Sequence, residues 1–233
     1  MKKPKFIPGN IYHIYHRGVE ERKIFLEEKD YFRFIHDLFE FNDEAPAMNI
    51  YYRFPYLRFY EVFYEVEPRK NRKIIVKILA FSLMPNHYHL MLEEIKERGI
   101  VKFMQKLNTG YTMYFNQKYQ RGGPLCSGRF KAVAIEKESH FIHLPFYIHF
   151  NCLDLIELQW REGKIKNFSK AINFLNAYRW SSHLDYSGIK NFPSVIQTEF
   201  LNKIFKEPKH YCLLIRNWIK QMNWEEIKRI ALE

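Results

Sequence analysis

The chain has 233 residues, of which 47% are hydrophobic and 18% aromatic, and its formal net charge is +11 at pH 7. This length and composition predict one folded domain with a full core and exclude a disordered or low-complexity chain. No run approaches the roughly 18 to 20 apolar residues of a membrane span, and the N-terminus lacks the apolar block of a signal peptide, so we expect a cytosolic protein without a membrane partner. The 3 cysteines are widely spaced, which argues against a disulfide framework or a cysteine zinc site and predicts reduced thiols.

The first predicted elements are a strand and a helix. Bulky apolar and polar residues alternate over residues 10–17, as in a strand. Apolar residues at spacings of three and four then predict an amphipathic helix over about 28–42. Residues 43–72 are aromatic and charged, and we predict them as an insertion to which no element is assigned.

A hairpin is predicted next. β-Branched and apolar residues dominate positions 73–83, as in a central strand. Pro85 and Asn86 predict a tight turn into a second strand over 87–93. Because the connecting turn is short, the two strands are expected to pair.

The pattern then predicts a long helix, a short strand and another helix. Apolar residues recur at helical spacing from Ile100, and this helix is expected to end before Gly122. A strand is predicted over 131–136. A helix is predicted over about 139–153, in which Pro145 marks a kink or the true start.

The order strand, helix, strand, strand, helix, strand, helix is that of a split βαβ, or ferredoxin-like, arrangement. The predicted fold class is therefore α+β, with an antiparallel sheet covered by helices and one added helix. We assign residues 1–187 to this domain, including the insertion at about 43–72. Residues 188–233 are predicted as a basic helical C-terminal extension, with a helix near 211–222.

Two histidines stand two positions apart on the second strand of the hairpin. Side chains alternate faces along a strand, so His87 and His89 share one face while Tyr88 points into the core. Neighbouring imidazoles at this spacing offer two nitrogens to one metal ion. On this short pattern alone, two hydrogen-bonded structural histidines are the more common explanation.

The helix predicted after the last strand carries a polar stripe. His143, Tyr147 and Asn151 are spaced at four-residue intervals and therefore share one face. If that face lies over His87 and His89, a tyrosine hydroxyl, two imidazoles and an amide oxygen converge. The alternative is a tyrosine that only anchors the helix.

Positive charge is concentrated in residues 102–137, which contain seven basic residues and one acidic residue. Aromatic side chains are interleaved with them, a pattern typical of proteins that bind single-stranded nucleic acid through phosphates and stacked bases. A solvated basic helix and loop is the alternative explanation. The basic residues are Lys102, Lys106, Lys118, Arg121, Arg129, Lys131 and Lys137.

Residues 84–90 (MPNHYHL) resemble the histidine-hydrophobic-histidine (HUH) motif of the single-stranded-DNA tyrosine transposases with an insertion-sequence-200-like domain. Within them the chain is most similar to the REP-associated branch, where REP denotes a repetitive extragenic palindrome. Further motifs match in the same order, so the resemblance covers about residues 10–187. They are residues 12–18 (YHIYHRG), 111–116 (YTMYFN), 128–131 (GRFK), 147–151 (YIHFN) and 178–183 (YRWSSH).

The resemblance implies a metal-dependent enzyme with a tyrosine nucleophile. Carried over to this sequence, it makes His87 and His89 two ligands of Mg²⁺ or Mn²⁺ and Asn151 the third ligand. Tyr147 becomes the nucleophile that forms a 5′-phosphotyrosine link with DNA. Where the family commonly has proline after this asparagine, the chain has Cys152, which puts the helix end and the pose of Asn151 in question.

The resemblance also implies a substrate, single-stranded DNA with REP-like hairpins, which is cleaved and rejoined near the nucleoid in the cytoplasm. We predict Arg129, Lys131, Arg121 and Lys118 as DNA-binding residues. A solvated side chain is the alternative for Arg129. Basic residues within 188–233 are candidates for a clamp on the DNA, and the family includes both homodimers and monomers.

Three other functions are weighed against the transposase. A binding module without cleavage is disfavoured by the presence of His87, His89 and Tyr147 together. A nicking enzyme of replication or conjugation would use the same chemistry, but the flanking motifs favour the transposase branch. A structural zinc protein is disfavoured because two histidines and an asparagine are an incomplete zinc shell.

Overall fold

The computed structural model describes residues 4–46, 72–157, 159–162, 164–221 and 231. Most of the predicted insertion, residues 47–71, lies outside the described residues. Among the helices of the described ranges, none has the length and apolar character needed to cross a membrane. The three cysteines form no disulfide: Cys152 is buried, Cys126 is half-buried and Cys212 is exposed.

Within the described ranges, four antiparallel strands form one sheet in the order β2-β3-β1-β4. The strands are β1 (Ile11–Arg17), β2 (Val76–Met84), β3 (His87–Glu94) and β4 (Lys131–Ile135). This topology is the ferredoxin-like arrangement, so the predicted fold class is confirmed. The order makes β1 and β3 the two central strands.

Seven α-helices lie within the described residues, and two of them complete the split βαβ unit. These are α1 (Glu28–Glu40) after β1 and α2 (Gly99–Lys118) after β3. The others follow β4: α3 (Glu138–Phe150), α4 (Phe168–Ala177), α5 (His183–Tyr186), α6 (Glu199–Phe205) and α7 (Pro208–Gln221). The sequence did not predict α5 and α6, because elements of 4 and 7 residues are too short to show a helical period.

The end of α3 determines the pose of Asn151. The α-helix runs through Pro145 and ends at Phe150, and the chain continues as a 3-10 helix from Asn151 to Leu155. Asn151 keeps helical dihedral angles (φ −52°, ψ −34°), and its Nδ2 donates to the Tyr147 carbonyl at 2.8 Å. The 3-10 helix is wound more tightly than the α-helix, but the chain continues along the same helical path. Asn151 therefore stays on the helical path that carries Tyr147, although residue 152 is a cysteine and not the proline that the resemblance implied.

The helices cover the two faces of the sheet unequally. α1 and α2 pack on the face that carries Tyr88, whose ring centroid lies 4.7 Å from that of Phe34 and whose hydroxyl donates to Asn108 Oδ1 at 2.7 Å. α3 packs on the opposite face, where the ring centroids of His89 and Tyr147 are 5.7 Å apart. The histidine pair and the polar helix therefore meet on one side of the sheet.

A buried carboxylate joins the start of α1 to the end of α2. Asp30 forms a capping box with Glu27 at the start of α1. It also accepts hydrogen bonds from Tyr114, Tyr119 and Lys118 of the α2 region. Burial alone would raise the pKa of Asp30, but the hydrogen bonds outweigh burial and hold this pKa below its usual value. Asp30 thus acts as a charged anchor between the two helices.

Buried polar side chains fasten α7 to the rest of the fold. The Tyr211 hydroxyl lies 2.7 Å from Nδ1 of His149 on α3 and 2.9 Å from Nδ1 of His183 on α5. Further along α7, Trp218 Nε1 donates to Nδ1 of His143 at 2.9 Å. His143 is therefore engaged in packing α3 against α7, although the sequence placed it on the same stripe as the candidate nucleophile.

We expect a His183→Gln variant to lose less stability in acid than the wild type. Burial lowers the pKa of His183 from 6.5 to about 4, so between these values the unfolded chain binds the proton and the folded chain does not. On acidification from pH 7 to 4.5, this group should remove roughly 2–3 kcal/mol of stability. Urea unfolding of both proteins at the two pH values measures the difference, and the same loss in both would contradict the assignment.

Candidate active site

His87 and His89 lie side by side on the central strand β3, with ring centroids 5.1 Å apart. Both are buried, His89 completely. Nδ1 of His87 lies 2.7 Å from Oδ1 of Asn86, an atom that can only accept a hydrogen bond. In the neutral ring Nδ1 therefore carries the proton, and the lone pair is on Nε2.

His13 on β1 orients the second histidine. Its Nε2 lies 2.9 Å from Nδ1 of His89, and the two rings are stacked with centroids 5.1 Å apart. When His89 donates from Nδ1, its lone pair is on Nε2, as in His87. A hydrogen bond from the far ring nitrogen is the usual way in which proteins orient a histidine that binds metal.

The candidate ligands are of chemical types that suit a divalent cation, and metal binding itself stays a prediction. Two imidazole nitrogens and an amide oxygen suit Mn²⁺ or Mg²⁺ and leave positions for phosphate oxygens and water. In the described part of the chain, no group of three or more His, Cys, Asp or Glu side chains is arranged to hold a metal ion. His13 contacts Nδ1 of His89 and not the Nε2 atom assigned to the metal, so we leave it out of the candidate ligand set.

Tyr147 projects from α3 onto the histidines. Its ring centroid lies 5.7 Å from that of His89 and 5.9 Å from that of His13, with the ring planes nearly perpendicular in both pairs. The side chain is fully buried. The structure thus brings together the tyrosine and the histidine strand that the sequence placed on separate elements, and the role of Tyr147 as nucleophile stays a prediction.

Asn151 is linked to Tyr147 through an arginine that the sequence did not single out. Nη2 of Arg161 donates to Asn151 Oδ1 at 2.8 Å, and Nη1 of Arg161 lies 3.3 Å from the Tyr147 hydroxyl oxygen. An amide oxygen has two lone pairs, so this bond still allows Asn151 to contact a metal ion. The guanidinium is held in turn by the Asp154 carboxylate.

A row of side chains across the sheet brings positive charge to the histidines. Tyr15 on β1 pairs in register with His89 on β3 and with Lys131 on β4, and its ring centroid lies 4.8 Å from that of His89. Nζ of Lys131 and Cζ of Arg17 lie 5.5 Å and 5.6 Å from the Tyr15 ring centroid. Lys131 is exposed, so it lies at the solvent margin of the site. Arg17, which pairs in register with His87, is ion-paired with Glu21 at 2.8 Å, so its charge is balanced locally.

The other three predicted DNA-binding residues are in different environments. Arg129 is exposed, two positions before Lys131. Arg121 is half-buried and hydrogen-bonds to its own neighbourhood at the end of α2. Lys118 is paired at 2.5 Å with the buried Asp30, on the helix that covers the opposite face of the sheet. DNA contacts by Arg129 and Arg121 stay predictions, whereas the ion pair with Asp30 favours a role for Lys118 within the fold.

Two matched variants separate charge at the site from charge within the fold. Lys131→Gln should weaken binding of a single-stranded hairpin and reduce the slope of log K against log salt by about 0.7. Lys118→Gln should leave this slope unchanged and lower stability by about 2 kcal/mol, since it leaves the buried Asp30 carboxylate without its cation. Titrations at several salt concentrations and urea unfolding measure both effects. The opposite pattern would place Lys118 on the DNA and Lys131 outside the interface.

The site contains three residues that the sequence did not predict. His13 and Arg17 lie in a motif that was noted, but their relation to the histidines depends on the register between β1 and β3. Alternation along the strand places His13 and Tyr15 on one face, and this pattern was the sequence signal that could have pointed to His13. Arg161 lies in a short 3-10 turn (Trp160–Glu162) without hydrophobic periodicity, and no local pattern marks it.

None of the curated proteins compared with the sequence matches it. One similar solved structure is that of a REP-associated tyrosine transposase bound to a REP hairpin, with 14% identity and a TM-score of 0.47 over 82% of this chain and 88% of that chain. At this sequence identity and TM-score, the similarity supports no conclusion about this chain.

A family model described as IS200-like transposase matches residues 50–151. This segment is shorter than the range 10–187 over which the motifs resemble the family. It contains β2, β3, α2, β4 and α3 and ends at Asn151, so it includes His87, His89 and Tyr147. Over residues 50–151, less than half of its length, the chain is therefore similar to IS200-like transposases.

Proposed function

We propose that the protein is a metal-dependent single-stranded-DNA transposase and endonuclease of the REP-associated kind. It would cleave and rejoin hairpin-bearing strands through a 5′-phosphotyrosine intermediate. The observation that supports this most is the position of Tyr147, whose ring lies 5.7 Å from that of His89 within a segment that matches IS200-like transposases. The candidate nucleophile and the candidate metal-binding pair are therefore neighbours in the fold.

The proposed reaction transfers one phosphodiester bond to the protein. Oη of Tyr147 bonds to phosphorus, and the bond between phosphorus and the 3′ oxygen breaks. The phenol loses one proton and the departing 3′ oxygen gains one and leaves as a hydroxyl, so the step is balanced in protons. Because the phosphotyrosine link keeps the bond energy, a second 3′-hydroxyl can reverse the step on another strand without ATP.

His87, His89 and Asn151 would hold Mg²⁺ or Mn²⁺. When bound there, such an ion supplies Lewis-acid stabilisation of the negative charge that develops on the phosphate oxygens. Asn86 and His13 hold the far nitrogens of His87 and His89, so both rings are oriented before any ligand binds. Burial of these rings and of Tyr147 excludes bulk water from the reacting atoms.

The proposed substrate is single-stranded DNA that carries a small REP-like hairpin. This choice rests on the motif resemblance and on the basic, aromatic segment 102–137, whose composition suits phosphates and unstacked bases. Exposed Lys131 and Arg129 at the margin of the site are the candidate phosphate contacts. We propose that the protein acts on such DNA in the cytoplasm, near the nucleoid.

The test is incubation of the full chain with a labelled hairpin-bearing single strand, drawn from repeats that flank its gene, and Mn²⁺ or Mg²⁺. The products are separated on a denaturing gel, with EDTA as the control. We expect a covalent protein–DNA band and a released 3′-hydroxyl strand with the metal and neither product with EDTA. Tight binding of the hairpin without an adduct under any condition would favour a binding module that does not cleave DNA.

A further inference from the structure

The segment after α3 folds back over the candidate nucleophile and places one guanidinium on it. Arg161 contacts both functional side chains of the helix end, with Nη1 3.3 Å from Oη of Tyr147 and Nη2 2.8 Å from Oδ1 of Asn151. Residue 161 lies ten positions beyond the segment that matches the transposase family. Arg161 is not among the site residues predicted from the sequence.

This guanidinium is held in place from its other side. Asp154 accepts from Nη2 at 2.5 Å and from Nε at 3.2 Å, which is a two-point contact between a planar cation and a carboxylate. Trp160 also donates to Asp154, at 2.5 Å, and its ring lies under the guanidinium at 5.1 Å. Arg161 therefore has a fixed orientation towards the Tyr147 hydroxyl, and fixed dipoles and charges are the ones that contribute most to catalysis.

We propose that Arg161 is a catalytic residue of the strand-transfer reaction: its guanidinium stabilises the Tyr147 phenolate as it forms and then the phosphate that this oxygen attacks. The inference rests on the proposed function. In a reactive complex the phosphorus atom lies roughly 3–3.5 Å from the attacking oxygen. The nonbridging oxygens of that phosphate then come within hydrogen-bond distance of a guanidinium that already touches Oη.

Arginine suits this role better than the histidines do. A guanidinium stays protonated in proteins, so Arg161 neither removes the phenol proton nor returns it, and its contribution is charge and hydrogen bonds alone. The side chain of Arg161 is 17% exposed, whereas Tyr147 is completely buried. Part of the Arg161 side chain is therefore accessible to a phosphate from solvent, next to a phenol that is not.

Single-turnover formation of the covalent adduct tests the proposal. Wild type, Arg161→Gln, Arg161→Lys and the control Lys164→Gln are mixed with saturating hairpin DNA and Mn²⁺. Lys164 is an exposed cation of the same segment, paired with Glu162. We expect the rate for Arg161→Gln to fall roughly 100-fold, as when one fixed donor is removed from a charge-stabilising site. The rate for Arg161→Lys should lie between those of Arg161→Gln and wild type, and the rate for Lys164→Gln should equal that of wild type. The DNA concentration that gives half-saturation should stay near the wild-type value in all variants.

The amplitude of the reaction separates catalysis from a structural role. If Arg161 only holds the loop, its loss lowers the fraction of protein that reacts and leaves the rate of the reacting fraction unchanged. That result, or a rate for Arg161→Gln equal to or above that of wild type, would overturn the proposal. Failure of the wild type itself to form an adduct would instead overturn the proposed function, on which the inference depends.

Discussion

A His87→Ala variant is expected to bind the hairpin-bearing strand as the wild type does and to lose metal-dependent cleavage. Removal of one of two imidazoles from the candidate metal site should slow adduct formation by at least about 1,000-fold, since a metal ion that stabilises developing charge contributes several kcal/mol. A titration of Mn²⁺ binding should show the same loss independently of activity. His87 lies at the start of β3, so its replacement leaves the central packing of the sheet in place.

His210→Ala is the matched control for this experiment. His210 lies on α7, where its ring contacts the Phe205 carbonyl at 2.9 Å, and it is remote in the sequence from the candidate metal site. We expect this variant to keep wild-type cleavage and Mn²⁺ binding. Loss of cooperative unfolding in His87→Ala, but not in the control, would mean that the histidine pair is structural.

A Tyr147→Phe variant should form no covalent adduct, a loss of roughly 10⁵-fold, because no other group in a nucleophilic step replaces the attacking oxygen. Phenylalanine keeps the ring that packs against both His13 and His89, so folding and hairpin binding should be retained. The change removes only the hydroxyl that Arg161 contacts at 3.3 Å. The expected gel therefore shows bound DNA under native conditions and free DNA after denaturation.

Tyr111→Phe controls for the loss of a hydroxyl as such. Tyr111 is also buried, and its hydroxyl donates to the Ile24 carbonyl at 2.7 Å on the face of the sheet opposite the histidines. We expect Tyr111→Phe to form the adduct at the wild-type rate, with a small loss of stability from the unpaired carbonyl. Equal adduct formation by Tyr147→Phe and Tyr111→Phe would show that the nucleophile is elsewhere.

The parts of the site that follow from local geometry were predictable from the sequence. Alternation along a strand places His87 and His89 on one face, and four-residue spacing places Tyr147 and Asn151 on one side of a helix. The order of elements was sufficient for the sheet topology, because a split βαβ unit leaves few ways to arrange four strands.

The parts that depend on distant packing were not predictable in this way. His13 reaches His89 only because β1 and β3 pair in one particular register, across 76 positions of sequence. Lys118 was predicted as a DNA contact because its sequence neighbours are basic, and its ion pair with Asp30, 88 positions away, has no local signal in the sequence. Arg161 reaches the nucleophile through an irregular turn, and such turns have no periodic signal from which a contact can be inferred.

The most direct test of the proposed chemistry is to identify the residue that carries the DNA. The wild-type adduct is formed with Mn²⁺, its DNA is trimmed by nuclease to a short 5′-phosphorylated remnant, and the protease-digested protein is analysed by tandem mass spectrometry. We predict that the remnant is attached to the peptide containing Tyr147, through a phosphotyrosine at that position. A remnant on another tyrosine, for example Tyr15, which lies beside His89, would contradict the assignment of Tyr147 as the nucleophile.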